Sequence, residues 1–260
     1  MCIVDCSQWS PPSFIKRFAR LVCQISVAFS SSLSAETLLV GYGTHNAAPY
    51  TISESGELDS GIIKDIMDAV AEQLVDASVV YIKVPRKRMG QHLLSAKMHI
   101  KPIANPDWEL NPEAYDWSVP LFKTHDMLVI PIDRNIELER IEDLAGMRLA
   151  TILGYRYPEL EEMISRGQLE REDTKTLVAG LKMLQLHRVD ALINTDILIK
   201  YQLRSEPFNR HLKVVDVIFG TDDIRLMVSK QSPYKVEQLN DAIAHLKRSG
   251  LIQKILLKYQ

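Results

Sequence analysis

The side chains best placed to do chemistry in this sequence are aromatic and cationic rather than nucleophilic. Pro49-Tyr50 lies in a loop after an apolar strand, Thr37 to Tyr42. Such a loop leaves the carboxyl end of its strand, where open α/β sheets place ligands, so Tyr50 can serve as a binding platform. Arg86-Lys87-Arg88 opens a helix, Arg86 to Ala96, directly after a second strand, Ser78 to Val84. Positive charge at a helix start works against the macrodipole, so the cluster is either an anion site or a solvated turn. Trp108 stands in a proline-rich loop, Asn105 to Pro120, as a wall of a site or as an anchor for the loop. Tyr155-Arg156-Tyr157 occupies a strand-to-helix turn, where backbone N–H groups and Arg156 can hold an anionic group.

Other chemistries find no support. The histidines show no metal-ligand spacing, and there is no phosphate-binding glycine loop, nucleophile elbow or HExxH. All three cysteines, Cys2, Cys6 and Cys23, precede residue 36, so the rest has no disulfide, thiolate metal site or cysteine nucleophile. No cofactor and no metal is expected. Basic and acidic side chains number 31 and 33, mixed along the chain, which argues against a nucleic-acid partner. Residues 1–35 read as a secretory signal: Lys16, Arg17 and Arg20, then an uncharged run ending in small residues. A membrane anchor needs about 20 predominantly apolar residues, more than this run offers. No later stretch is apolar enough to span a bilayer, so a soluble product is expected.

A length of 260 residues suits one large domain or two small lobes. Strands alternate with helices twice, before about 126 and again from about 147 to 218, which argues for an α/β class. Asp126 to Pro131 reads as a strand. Glu170-Arg171-Glu172-Asp173 reads as solvated charge, with Asp173 or Thr174 capping a helix to His187. Val189 to Ile193, Leu212 to Ile218 and Ile224 to Ser229 read as strands. Two helices close the chain, Pro233 to Ser249 and Leu251 to Tyr259, with Gly250 as a C-cap between them. The last 42 residues are too few to stand alone, so they return to the first lobe. Two lobes then share two crossing strands, near 126–131 and 222–229, with a cleft between.

Five segments in order resemble the extracellular solute-binding proteins of family 3, whose best-known members bind polar amino acids for ABC importers. They are the opening 38–74, Asp116-Trp117-Ser118-Val119-Pro120-Leu121-Phe122, Leu144-Ala145-Gly146-Met147-Arg148-Leu149-Ala150, Arg188-Val189-Asp190-Ala191-Leu192-Ile193, and the ending from Leu226. The resemblance spans 36–260. It implies a two-lobed type II periplasmic-binding-protein fold with two hinge strands: 36–127 with 222–260 as one lobe, 128–221 as the other. It also implies a periplasmic location, hinge closure on a ligand, Tyr50 covering that ligand, and the turn at Tyr155 and Arg156 facing the cleft.

The amino-acid signature is incomplete. The family's carboxylate-binding arginine has no counterpart, since no arginine falls between Arg88 and Arg134. At the place of its amino-binding aspartate stand Thr195, in register, and Asp196, one position late. The expectation is therefore a monomeric binder of a small polar, anionic solute, held by Tyr50, Arg86, Arg88, Trp108, Tyr155, Arg156, Thr195 and Asp196. It would serve an ABC permease or a membrane receptor and catalyse nothing. A few relatives are dehydratases of cyclic diene acids. That alternative needs a cleft acid, and Asp107, Glu109 and Asp196 are the carboxylates placed near it.

Overall fold

The computed structural model describes residues 36–43, 45–204, 208–217 and 219–259. The expected signal segment lies outside them. The first half of the fold begins with β1 (Glu36–Tyr42), α1 (Ile62–Ala71), β2 (Ala77–Lys83), α2 (Arg86–Leu94) and β3 (Ile100–Ala104). Strand β1 runs parallel to both β2 and β3. Between Asn105 and Phe122 come two 3-10 turns and the two-residue β4 (Asp116–Trp117). Next are β5 (Phe122–Pro131), β6 (Arg148–Ile152), α3 (Glu161–Ser165), β7 (Glu170–Thr174), α4 (Leu177–Gln185), β8 (Ala191–Thr195) and α5 (Asp196–Gln202). The chain ends with β9 (Leu212–Val214), β10 (Gly220–Val228), α6 (Val236–Arg248) and α7 (Leu251–Lys258). Among the described residues no helix is long and apolar enough to cross a membrane.

The sheet runs β2-β1-β3-β10-β5-β8-β6-β7. Strand β10 belongs to both halves. Its Arg225–Val228 end pairs with β3 and β4, while Gly220–Ile224 pairs antiparallel with Phe122–Asp126 of β5. The crossing stretch thus lies a few residues before the one read from sequence, because β5 and β10 each begin four residues earlier than their apolar runs. Thr124, Asp126, Asp222 and Asp223 are polar, yet the ladder extends through them.

Helix α1 buries Ile62, Ile63, Ile66, Met67 and Val70, the stripe expected of a 3.6-residue period. Helices α6 and α7 pack against it. The start of α1 is built by its own loop. Pro49 and Tyr50 carbonyls accept from the N–H groups of Ile62 (2.9 Å) and Ile63 (3.1 Å), two donors that a helix cannot satisfy itself. Gly61 makes this possible at φ 126°, and a Cβ there would stand 2.6 Å from the Tyr50 carbonyl oxygen. Tyr259 completes the junction: its Oη accepts from Gly61 N (3.1 Å) and donates to Asp65 Oδ2 (3.0 Å).

One element differs in kind from the sequence reading. Glu170–Thr174 is not solvated loop but the edge strand β7, parallel to β6 from Arg148↔Glu170 to Ile152↔Thr174. A charged edge strand lacks the apolar alternation that marks strands, and the same charges discourage pairing with another chain. Arg171 binds Asp173, which also accepts from Thr151 Oγ1 at 2.8 Å. The helix cap accordingly moves to Thr176, whose Oγ1 accepts from Ala179 N at 3.2 Å.

Gly61→Ala should lower stability by at least ~1 kcal/mol more than Gly56→Ala, because both need positive φ but only Gly61 also meets a backbone atom. Urea unfolding of the two variants checks this, and equal losses would dismiss the contact with the Tyr50 carbonyl.

Candidate functional site

A cavity of about 40 Å³ lies where the loops of the two halves meet. The first half contributes His45, Asn46 and Tyr50 from the loop after β1, Arg86 from the start of α2, Lys101 and Ile103 from β3, and Trp108 from a 3-10 turn. The crossing strand β5 contributes Asp126, and the second half contributes Tyr155, Arg156 and Tyr157 from the turn after β6, Asn194 and Thr195 from the end of β8, and Leu198 from α5. The halves touch across it. Tyr155 Oη donates to the His45 carbonyl (3.3 Å), Arg156 Nη1 to the Glu109 carbonyl (3.4 Å), and Gln202 Nε2 to the Ala48 carbonyl (3.2 Å).

One wall is cationic. Glu109 Oε1 accepts from Lys101 Nζ at 2.5 Å and from Arg86 Nη1 at 3.1 Å. Burial, then the neighbouring Arg86, pull the Lys101 ammonium down to about 8, with Glu109 pulling the other way. Burial alone would raise the Glu109 carboxyl, but Lys101 and Arg86 hold it below the usual range. His45 is pushed down to about 3 by burial, Arg86 and Lys101, so its ring is neutral. The ring of His45 meets Tyr155 edge-on at 6.3 Å, and the Arg86 guanidinium lies 5.8 Å from the Tyr155 ring centre. Arg156 is taken by Glu161, at 2.7 and 2.9 Å.

A second wall carries the carboxylate of Asp126. Among the described residues nothing gives the Asp126 carboxylate a hydrogen bond or an ion pair. Burial and the charges of Asp222, Glu159 and Asp196 push it up to about 7. Asp222, which accepts from Asn105 Nδ2 at 2.8 Å, is itself raised to about 6 by burial, Glu159 and Asp107.

Between these walls sit polar atoms that the protein leaves unsatisfied. Five buried side-chain N or O atoms lack a hydrogen-bond partner among the described residues, and three of them line this cavity: Tyr50 Oη, Asn194 Nδ2 and Thr195 Oγ1. Each such atom costs about 1–3 kcal/mol, so their concentration at one place calls for an occupant.

Of the residues singled out from sequence, Tyr50, Arg86, Trp108, Tyr155, Arg156 and Thr195 come together here. Arg88 does not: it lies exposed on α2. Asp196 also faces elsewhere, receiving His125 N at 3.2 Å and Lys200 Nζ at 3.5 Å. Trp108 both lines the cavity and packs on the core. Sequence reasoning missed His45, Lys101, Asp126 and Asn194. The usable signal was Lys101 as the one polar residue of the apolar β3 and Asn194 next to Thr195 at the end of the apolar β8; Asp126 closes a polar run, Lys123 to Asp126, and gave no such signal.

No protein-family model matches the chain, and neither does any curated protein sequence. Solved structures do match. An ancestral arginine-binding protein bound to arginine aligns at TM-score 0.72 and 21% identity, covering 86% of this chain and 97% of that one. A structure reported for glutathione import through GshT and the cystine ABC importer TcyBC of Streptococcus mutans aligns at 0.74 and 18%, covering 86% and 94%. The ancestral amino-acid-binding protein AncCDT-1, a precursor of cyclohexadienyl dehydratase, aligns at 0.70 and 16%, again covering 86% and 94%. At such identities the likeness is one of fold: the chain has the two-lobed α/β fold of the periplasmic binding proteins, type II, as the sequence resemblance implied.

Glu109→Gln should cost about 3–5 kcal/mol at pH 7, since it leaves Arg86 and Lys101 facing each other uncompensated. Without Glu109 the Lys101 ammonium titrates still further below about 8, so its neutral form relieves the repulsion, and the deficit should shrink as pH rises towards about 8 and level off above it. Urea midpoints at pH 7 and pH 9.5 measure both effects.

Proposed function

We propose that the chain is a periplasmic solute-binding protein that closes two lobes on a small polar solute and passes it to an ABC importer. The lobes are residues 36–127 with 222–260, and 128–221. The observation that carries this reading is the group of unpartnered buried polar atoms, Tyr50 Oη, Asn194 Nδ2 and Thr195 Oγ1, facing a cavity between charged walls. The fold supports it as well: its solved neighbours are named for binding arginine and for importing glutathione. The purely anionic solute expected from the arginines loses ground. Arg86 and Lys101 already share Glu109, Arg156 already holds Glu161, and Asp126 adds a negative wall.

A second reading has one observation in its favour. Asp126, a cavity carboxyl raised to about 7, has the proton affinity of a general acid, and one fold neighbour is a precursor of a dehydratase. Turnover of a cyclic diene acid by the purified protein, abolished in Asp126→Asn, would establish that reading and displace the first.

Thermal shift against a library of amino acids, amines, organic acids and short peptides tests solute capture. A bound solute at a hundred times its Kd should raise Tm by roughly 5–10 °C. A library without a hit would sink the proposal. Tyr50→Phe should then separate two effects: higher Tm without solute, because a buried orphan hydroxyl is gone, and affinity lowered about tenfold, because the solute loses its partner.

A further inference from the structure

We propose, building on the solute-binding reading, that Asp126 is the subsite for a protonated amine, so that the captured solutes are compact amines and amino-carboxylates rather than dicarboxylates. Asp126 is the carboxylate that lines the cavity, and among the described residues it has no cationic partner. The acids around it are committed elsewhere. Glu109 is held by Lys101 and Arg86, Glu161 by Arg156, and Asp196 by Lys200 and His125 N. Asp222 is held by Asn105.

Geometry supplies the rest of an ammonium site. Asp126 stands opposite Thr195 in the β5–β8 ladder and opposite Gly220 in the β5–β10 ladder. Cross-strand partners place their side chains side by side, which sets the orphan Thr195 Oγ1 beside the carboxylate. Gly220 offers no side chain of its own, and a Cβ there would approach Asp126 Oδ2 to 3.4 Å. Tyr50 Oη, beside Thr195, is the other unpartnered oxygen on this side; burial chiefly suppresses its ionisation, and the charges of Asp196 and Asp126 add to it. Carboxylate, phenol and hydroxyl oxygens provide three acceptors for the three N–H bonds of a primary ammonium. Asn194 Nδ2, a donor, is left for an oxygen of the solute, and the Arg86–Lys101 wall for a carboxylate where one is present.

The same geometry sets a pH dependence. The titratable groups close enough to act on Asp126 are Asp222 on β10, Glu159 and Tyr157 in the turn after β6, Asp196 at the start of α5, and Tyr50 in the loop after β1. The nearby acids and burial disfavour the ionised Asp126, while an incoming ammonium favours it. Amine binding should therefore strengthen about 50-fold from pH 5 to pH 7 and level off above, as the carboxyl titrating about 7 loses its proton.

Calorimetry with three probes of equal chain length tests this: β-alanine, 1,3-diaminopropane and malonate. The two amines are expected to bind and malonate is not. Asp126→Asn should weaken amine binding at pH 8 at least tenfold and flatten the pH dependence. The variant should fold with unchanged or raised Tm, since no protein partner loses the carboxylate. Amine affinity unchanged in Asp126→Asn overturns the inference. So does capture, by the wider library, of solutes without a protonated amine alone, which leaves solute binding standing. Silence across that library overturns both.

Discussion

The antiparallel pairing of Phe122–Asp126 with Gly220–Ile224 is the constraint on which the rest of the molecule depends. Strand β10 is shared: one end completes the β2-β1-β3 half, the other pairs with β5 and so with the β8-β6-β7 half. The residues that line the cavity come from strands, loops and helix starts on either side of this pair. A ligand gripping both halves therefore acts across a narrow, well-hydrogen-bonded join, the arrangement in which closure changes few backbone torsions. Asp126 sits at the end of that join, paired in register with Gly220, where the two halves begin to diverge.

Charge is distributed around the cavity so that the protein satisfies one wall and leaves the other open. Lys101 is almost fully buried, a position a lysine tolerates only with a partner. Glu109 is that partner, and Arg86 shares it. This wall is neutralised down to about one positive charge, with His45 uncharged beside it. Across the cavity Asp126 receives nothing from the protein. A structural ion pair would have placed a lysine or arginine there, as Asp190 has Arg134 and Arg148. Leaving the carboxylate alone costs the folded state whatever ionisation it retains near neutrality, and the orphan polar atoms add to that cost. Binding sites commonly store destabilisation of this kind.

Much of the fold was legible because its elements are driven by apolar periodicity. Helix α1 and strands β1 and β6 bury continuous or regularly spaced apolar residues, and both sequence and structure mark them alike. Strand β7 was not legible: Glu170–Asp173 has no apolar face, and its pairing to β6 is decided by the register of a neighbour far along the chain. The polar ends of β5 and β10 failed to show for the same reason. At the site, the aromatics Tyr50, Trp108 and Tyr155 and the cations Arg86 and Arg156 stood out by type and by place in their turns. Lys101 and Asn194 did not, since a polar residue in an apolar strand carries no local sign of which face it occupies, and Asp126 was hidden at the end of the polar run Lys123 to Asp126. Arg88 shows the converse limit: it shares a helix start with Arg86 but lies a helical offset away from the cavity-facing side.

The loop bearing Tyr50 is tied to the first half along its backbone and presents its aromatic side chain to the cavity. Its backbone is spent: the Pro49 and Tyr50 carbonyls cap α1, and Asn46 Oδ1 accepts from Gly43 N at 3.2 Å. Gly61, fixed by Tyr259 from the end of the chain, locks that cap in place. The phenol is thus held in a single position with its ring in the core and its hydroxyl at the cavity. A side chain held this way loses little conformational entropy when a solute arrives, so its hydrogen bond is available almost undiminished. The second half supplies its groups differently, from a turn whose Tyr157 is anchored by Ile152 N at 3.2 Å and stacked on Arg171. The two loops meet directly through the hydrogen bond from Tyr155 Oη to the His45 carbonyl.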